Sequence, residues 1–119
     1  MQPDILPQQH SDFDVKMSWD MKIINGKSVI DGIVKNIRYA MMENIEIWVA
    51  MLDSRGNTVE RAVDLVMPMR LDLGEAASFR AVFQQVVPHG ARLVFSYKYD
   101  GSDGGDCINW RQSFEACAP

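Results

Sequence analysis

The residues best suited to chemistry lie near the C-terminal end, in Asp100-Gly101-Ser102-Asp103-Gly104-Gly105-Asp106. Three carboxylates on a glycine-rich loop offer hard oxygen ligands to calcium. Asp100, Asp103 and Asp106 recur every third residue. An EF-hand loop instead spaces its first ligands every second residue and closes on a glutamate at its twelfth position. The spacing therefore favours a solvated hairpin loop, with glycine supplying positive φ and aspartate capping turns. Calcium on these three aspartates is the alternative. Soft-metal chemistry has a weaker candidate. Met67-Pro68-Met69 with His89 offers two thioethers and an imidazole to Cu(I). Methionine also fills irregular core space, and Met17, Met21 and Met51 fall at expected core positions.

Acid–base catalysis needs a paired carboxylate or a partnered histidine. The two histidines are His10, in a polar leader, and His89, in a Pro-His-Gly turn, and both read as solvated loop residues. The chain contains no Gly-x-Ser-x-Gly elbow, phosphate loop or dinucleotide fingerprint. No catalytic set is expected, and no cofactor is required by any motif. Tyr39, Tyr97, Tyr99 and Trp110 can line a carbohydrate or peptide surface, but Tyr97 and Tyr99 share one strand face with Leu93 and Phe95, as core residues do. An exposed sheet edge is a separate route to a partner.

The two cysteines, Cys107 and Cys117, form an isolated, even-numbered pair near a chain end. That pattern predicts a disulfide and an oxidising compartment, periplasmic or extracellular, with Trp110 packed against the bridge. Closing so short a loop contributes on the order of 3 kcal/mol. The alternative is two reduced thiols in a cytosolic protein.

These residues must be positioned by the rest of the chain. A length of 119 residues suits one domain with a genuine core. Hydrophobic residues make up 47% and charged residues 24%, a globular composition that excludes extensive disorder. The net charge is −4 with scattered basic residues, so no nucleic-acid footprint is visible. No apolar run approaches the roughly 20 residues of a membrane helix. Residues 1–11 are polar, lack the apolar segment of a signal peptide, and read as a flexible leader to a single domain over residues 12–119.

Asn44–Asp53 is the centre of that domain. From Ile45 to Leu52 only Glu46 is polar, and both faces of an extended chain are apolar, which predicts a strand covered twice. Phe13–Ile23 alternates strictly, with Phe13, Val15, Met17, Trp19, Met21 and Ile23 on one side. Asn25-Gly26 signals a hairpin into Ser28–Asn36, where Gly32 implies a bulge or a close neighbour. Thr58–Met67 has Val59, Val63 and Leu65 on its apolar side, and Pro68 ends it. Leu71–Glu75 reads as a loop anchored by one leucine. Ala77–Val87, Arg92–Tyr99 and Ile108–Phe114 complete seven strands. No segment has a helical period. The fold class is all-β, an antiparallel sandwich.

Gly32-Ile33-Val34-Lys35-Asn36, a central strand ending in Asp53, Gly56 in the following turn, Leu73-Gly74-Glu75 and Phe79 together resemble the FxLYD-type domains. The likeness spans roughly Trp19 to Tyr99. At the name-giving motif this chain has Val49-Ala50-Met51-Leu52-Asp53, so the aspartate alone is kept. The resemblance implies an immunoglobulin-like or fibronectin-like sandwich from a bacterial envelope or secreted protein. It further implies a non-catalytic module for protein–protein contact or assembly, with an unidentified protein partner. The alternative function is small-ligand or metal binding through the 100–106 loop.

Overall fold

Alternating side chains become strands where one face can be buried, and most of this chain alternates. The computed structural model describes residues 6–119. It contains nine strands: β1 (Gln8–Ser11), β2 (Val15–Ile24), β3 (Lys27–Asn36), β4 (Met41–Leu52), β5 (Thr58–Leu65), β6 (Arg70–Asp72), β7 (Ala76–Val82), β8 (Arg92–Ser102) and β9 (Ile108–Cys117). Two antiparallel sheets, β1–β2–β3–β7 and β5–β4–β8–β9, pack face to face, with β6 paired to the start of β4. The expected immunoglobulin-like sandwich is the architecture found. All seven expected strands are present, with shifted ends.

The count rises from seven to nine for two reasons. Leu71 is buried as expected of an anchor, but its neighbours also pair, Arg70–Asp72 lying against Met41–Glu43. Too short to show a period, β6 was invisible in the sequence. Gln8–Ser11, read as part of the leader, pairs with β2 from Lys16 to Trp19, so ordered structure begins ahead of residue 12. The first five residues of that leader lie outside the described residues.

The core lies between the sheets. Ile45, Ile47, Val49 and Met51 of β4 face Val15, Met17 and Trp19 of β2, Ile30 and Val34 of β3, and the inward residues of β8. Trp19 tilts against Phe95 at 4.5 Å between ring centroids, and Phe95 stacks on Phe114 at 5.0 Å. Each such large side chain contributes roughly 1.5–3 kcal/mol by leaving water.

Local choices made by the sequence hold. Asn25 and Gly26 take φ values of 52° and 74°, the two positive angles of a type I′ hairpin turn. Gly32 is a site of close approach: a methyl group there would run into the Phe79 ring on β7 and lie 2.8 Å from the Ser18 carbonyl. Only glycine leaves room for that aromatic ring across the strand pair.

Three expectations are corrected. β4 is paired on both flanks, but only its Ile45–Met51 face is covered, and Trp48, Ala50 and Leu52 lie on an open face. Alternation along β2 holds from Val15 to Met21 except at Ser18, which is buried on the expected wet face, and Ile23 is exposed, because the end of the hairpin runs past the core. Phe13 precedes the strand and is 51% exposed, while Asp14 is buried. The third correction is on β5: Val59, Val63 and Leu65 point out, and Glu60, Ala62 and Asp64 point toward the first sheet. The reason is polar. The Glu60 carboxylate accepts the Gln84 backbone N–H at 2.7 Å, and Asp64 accepts that of Arg80 at 2.8 Å. Asp64 caps the free edge of β7 and Glu60 the chain just past its end, and the apolar parity of β5 is turned to solvent.

Candidate functional site

The inversion of β5 and the open face of β4 meet on the outside of the second sheet. Strand register lays the side chains out in rows. Val63, Trp48, Ser96 and Ser113 form one row, and Arg61, Ala50, Val94 and Glu115 form the next. On the other side of the tryptophan row run Leu65, Glu46, Lys98 and Arg111. Trp48 is 37% exposed, Val63 50% and Leu65 64%. A groove of about 410 Å³ opens over Trp48, Ala50 and Val94, with Arg61 and Arg111 on its walls.

Most charges on this face are neutralised. Lys98 Nζ lies 3.3 Å from Glu46, which also accepts the Trp48 indole N–H at 3.1 Å. Arg92 pairs with Glu115 at 2.7 Å. Arg38, Arg70 and Arg80 likewise have carboxylate partners. Arg61 and Arg111 do not: among the described residues neither guanidinium has an ion-pair or hydrogen-bond partner. An exposed indole pinned by Glu46 between two uncompensated guanidiniums suits an occupant with apolar and anionic groups. At one end of this face Leu65, Met67 and Met69 line a second, apolar depression of about 320 Å³ with Asn44 and Ile45.

The predicted calcium ligands do not converge. Asp100 accepts the Asn109 amide at 2.8 Å and the Asn44 amide at 3.1 Å. Both bonds hold its carboxyl below the usual carboxylate range, Asn109 first. Asp103 is turned the other way, to the Ala40 backbone N–H at 3.0 Å and Arg38 at 2.9 Å, which also lower its pKa. Asp106 is exposed. Among the described residues no three metal-ligating carboxylates, histidines or cysteines come together. The soft set is divided too. Met67 and Met69 lie near Asn44 at the start of β4, and His89 lies near Leu52 at its end, on the order of 20 Å along the strand.

The intrachain disulfide is overturned. Cys107 and Cys117 are unbonded and sit at opposite ends of β9. An extended strand of that length holds them on the order of 30 Å apart, where a disulfide requires Cα atoms within about 7 Å. Trp110 packs edge-on to Phe13 at 5.6 Å instead of against a bridge.

Tyr39, Tyr97 and Tyr99 are buried, as core packing required. What sequence reading missed is their polar partner. Asp14, fully buried, accepts the Tyr97 hydroxyl at 2.7 Å and the Tyr99 hydroxyl on its other oxygen. Burial first, and then hydrogen bonding to Asp14, push both phenols far above their ordinary pKa of 10.0. The pair of donors compensates a buried carboxylate that would otherwise be costly. Asp14 is enclosed by these phenols and contributes to packing. The signal available in sequence was Asp14 interrupting an apolar segment, and a solvent-facing alternation explained it equally well.

No protein-family model matches the chain, and no curated protein matches it. Solved structures do. The GAE domain of GGA2p from Saccharomyces cerevisiae superposes with a TM-score of 0.66 at 9% identity, covering 92% of this chain and 94% of that one. The yeast GGA1 GAE domain gives 0.61 at 10% identity, over 94% and 98% of the two chains. The putative ApaA protein from Bordetella pertussis gives 0.58 at 12% identity, over 96% and 98%. At these identities the likeness is one of fold, and it places the chain among β-sandwich domains of this build.

Proposed function

We propose that this chain is a non-catalytic module that holds a protein partner on the outward face of its β5–β4–β8–β9 sheet. The partner segment carries apolar side chains for Trp48, Val63 and Leu65, and carboxylates for Arg61 and Arg111. The carrying observation is the coincidence, on one open face, of an exposed tryptophan and two guanidiniums without partners. An aromatic and arginines are the residue types that dominate binding energy at protein interfaces. The resemblance to FxLYD-type domains agrees with a contact or assembly role, and the envelope setting rests on that resemblance alone.

Selection of a displayed random-peptide library on the folded protein tests this reading. Counter-selection uses Trp48→Ala and Arg61→Glu/Arg111→Glu, since neither change touches the core. Enriched peptides should combine acidic and apolar residues, quench Trp48 fluorescence, and lose at least about tenfold in affinity for either variant, the loss expected of a central interface anchor. Peptides that bind all three proteins equally, or no enrichment at all, would remove the proposal.

A further inference from the structure

We infer that β9 is a self-pairing edge, built to take β9 of a second copy of this chain about a two-fold axis at Gln112. The inference rests on the edge of β9 and its two cysteines, and shares only Arg111 with the outward-face groove. Among the described residues the two sheets end in β1, β7, β5 with the three-residue β6 beside it on β4, and β9. β7 is closed by the carboxylates of Glu60 and Asp64 and by a bridge between Met67 and Ser78. β5 supplies those carboxylates and forms the other side of the same corner. β1 has only four residues. β9 runs for ten residues, is paired on one side only, to β8, and carries no proline or bulge to discourage a neighbour. Half of its backbone N–H and C=O groups face away from β8, as in any edge strand.

The side chains choose the occupant. Antiparallel pairing of β9 with itself, centred on Gln112, sets residue i opposite residue 224 minus i. Trp110 then faces Phe114 of the second copy, Ile108 faces Ala116, and Gln112 faces itself. Ile108 and Trp110 are exposed in the single chain, at 39% and 37%. On the opposite face Arg111 lies across from Ser113 and diagonal to Glu115 of the other copy. Apolar meets apolar and opposite charges are adjacent, which is what stabilises cross-strand pairs. The same register sets Cys107 opposite Cys117 at both ends. Both thiols are exposed and, ten positions apart, share one face of the strand. Directly opposed residues have Cβ atoms about 4.5–5.5 Å apart, a small shift from disulfide distance. The interface is isologous, as a two-fold dimer requires. Each bridge forms when two thiols give up two protons and two electrons to a disulfide oxidant such as oxidised glutathione, which becomes two thiols.

The test uses the full chain with oxidised glutathione and non-reducing electrophoresis. Wild type should run at twice the chain mass and return to monomer on reduction. Cys107→Ser alone and Cys117→Ser alone should each lose the cross-link, because the remaining thiol faces serine. Their thiols should instead carry glutathione by mass spectrometry, which shows that they stay reactive. An equal mixture of the two variants should regain a cross-linked heterodimer. Cross-linking by either single variant alone to the wild-type extent, or none in the mixture, overturns the register. Exposed serine replacements leave the core intact, so circular dichroism of every variant should match wild type.

Discussion

At the residue scale, one buried polar side chain that joins several segments is Asn36. It is buried, and its amide donates to the carbonyls of Tyr39 at 2.9 Å and Leu71 at 3.0 Å. Its carbonyl oxygen accepts the backbone N–H groups of Arg38 and Tyr39, both at 3.1 Å. One side chain thus fixes the exit of β3 and locks β6 onto it. Asn36→Ala strands buried backbone groups on both sides and should cost about 3 kcal/mol or more, read from the midpoint shift in urea denaturation. A loss within about 0.5 kcal/mol, typical of an unimportant surface site, would refute that role. The Asp14–Tyr97–Tyr99 cluster gives a pH prediction. Folding raises both phenol pKa values above the ordinary 10.0, so the folded chain holds protons that the unfolded chain releases first. Stability contributed this way is complete below pH 10 and falls as pH rises beyond it. Denaturation midpoints should therefore drop from about pH 9 to about pH 11, and Tyr97→Phe should flatten that drop. A pH-independent midpoint in wild type would contradict the assignment.

At the scale of elements, β5 shows how polar demands override apolar parity. Its three exposed aliphatics supply a greasier face than the one it buries, yet the strand is turned so that Glu60 and Asp64 reach β7. Strand edges with free N–H groups attract other strands, and inward-pointing charges are a known means of blunting them. Glu60→Ala/Asp64→Ala should cost about 1–3 kcal/mol per charge-assisted hydrogen bond, and should speed aggregation on mild heating as β7 is uncovered. Light scattering at matched fractions unfolded checks this; an unchanged aggregation rate would mean that the Met67 bridge suffices. The 100–106 loop also acts at this scale. Its aspartates hold neighbouring backbone and side chains: Asp103 secures Ala40 and Arg38 ahead of β4, and Asp100 ties Asn44 to Asn109. Since Asp100 and Asp103 have lowered pKa values in the folded chain, their contribution is present above the ordinary carboxylate pKa near 3.8 and is lost as pH falls.

At the scale of the whole molecule, the outward face of the β5–β4–β8–β9 sheet carries an exposed tryptophan, and β9 presents a ten-residue edge paired on one side. The first is proposed as a docking face and the second as a dimer seam; they meet on β9, where Arg111 lines the groove and also lies diagonal to Glu115 of a second copy. Metal is the contrasting reading, and it makes a plain demand. Calcium held by Asp100, Asp103 and Asp106 must raise the melting temperature by mass action. With their carboxylates turned to different partners, a thermal melt with millimolar calcium should match one with chelator. A calcium-dependent rise abolished by Asp103→Asn would show that the loop rearranges into a site.

Much of this protein is legible in its sequence. Strand-forming alternation, Asn25-Gly26 and the absence of a helical period determine an antiparallel β-sandwich, because periodicity and turn chemistry are local properties. Gly32 announces a close approach for the same reason. What only the tertiary structure decided is which apolar faces are covered. Ile45–Leu52 is apolar on both sides, and its sequence cannot say that one side has no sheet above it. Val59, Val63 and Leu65 read as core because hydrophobicity alone does not reveal that Glu60 and Asp64 have backbone donors waiting on β7. The cysteines lie near in sequence but far in space, because the intervening residues are fully extended. Covering a face, capping an edge and joining two thiols all depend on distances between segments far apart in the chain, and those distances are set by packing.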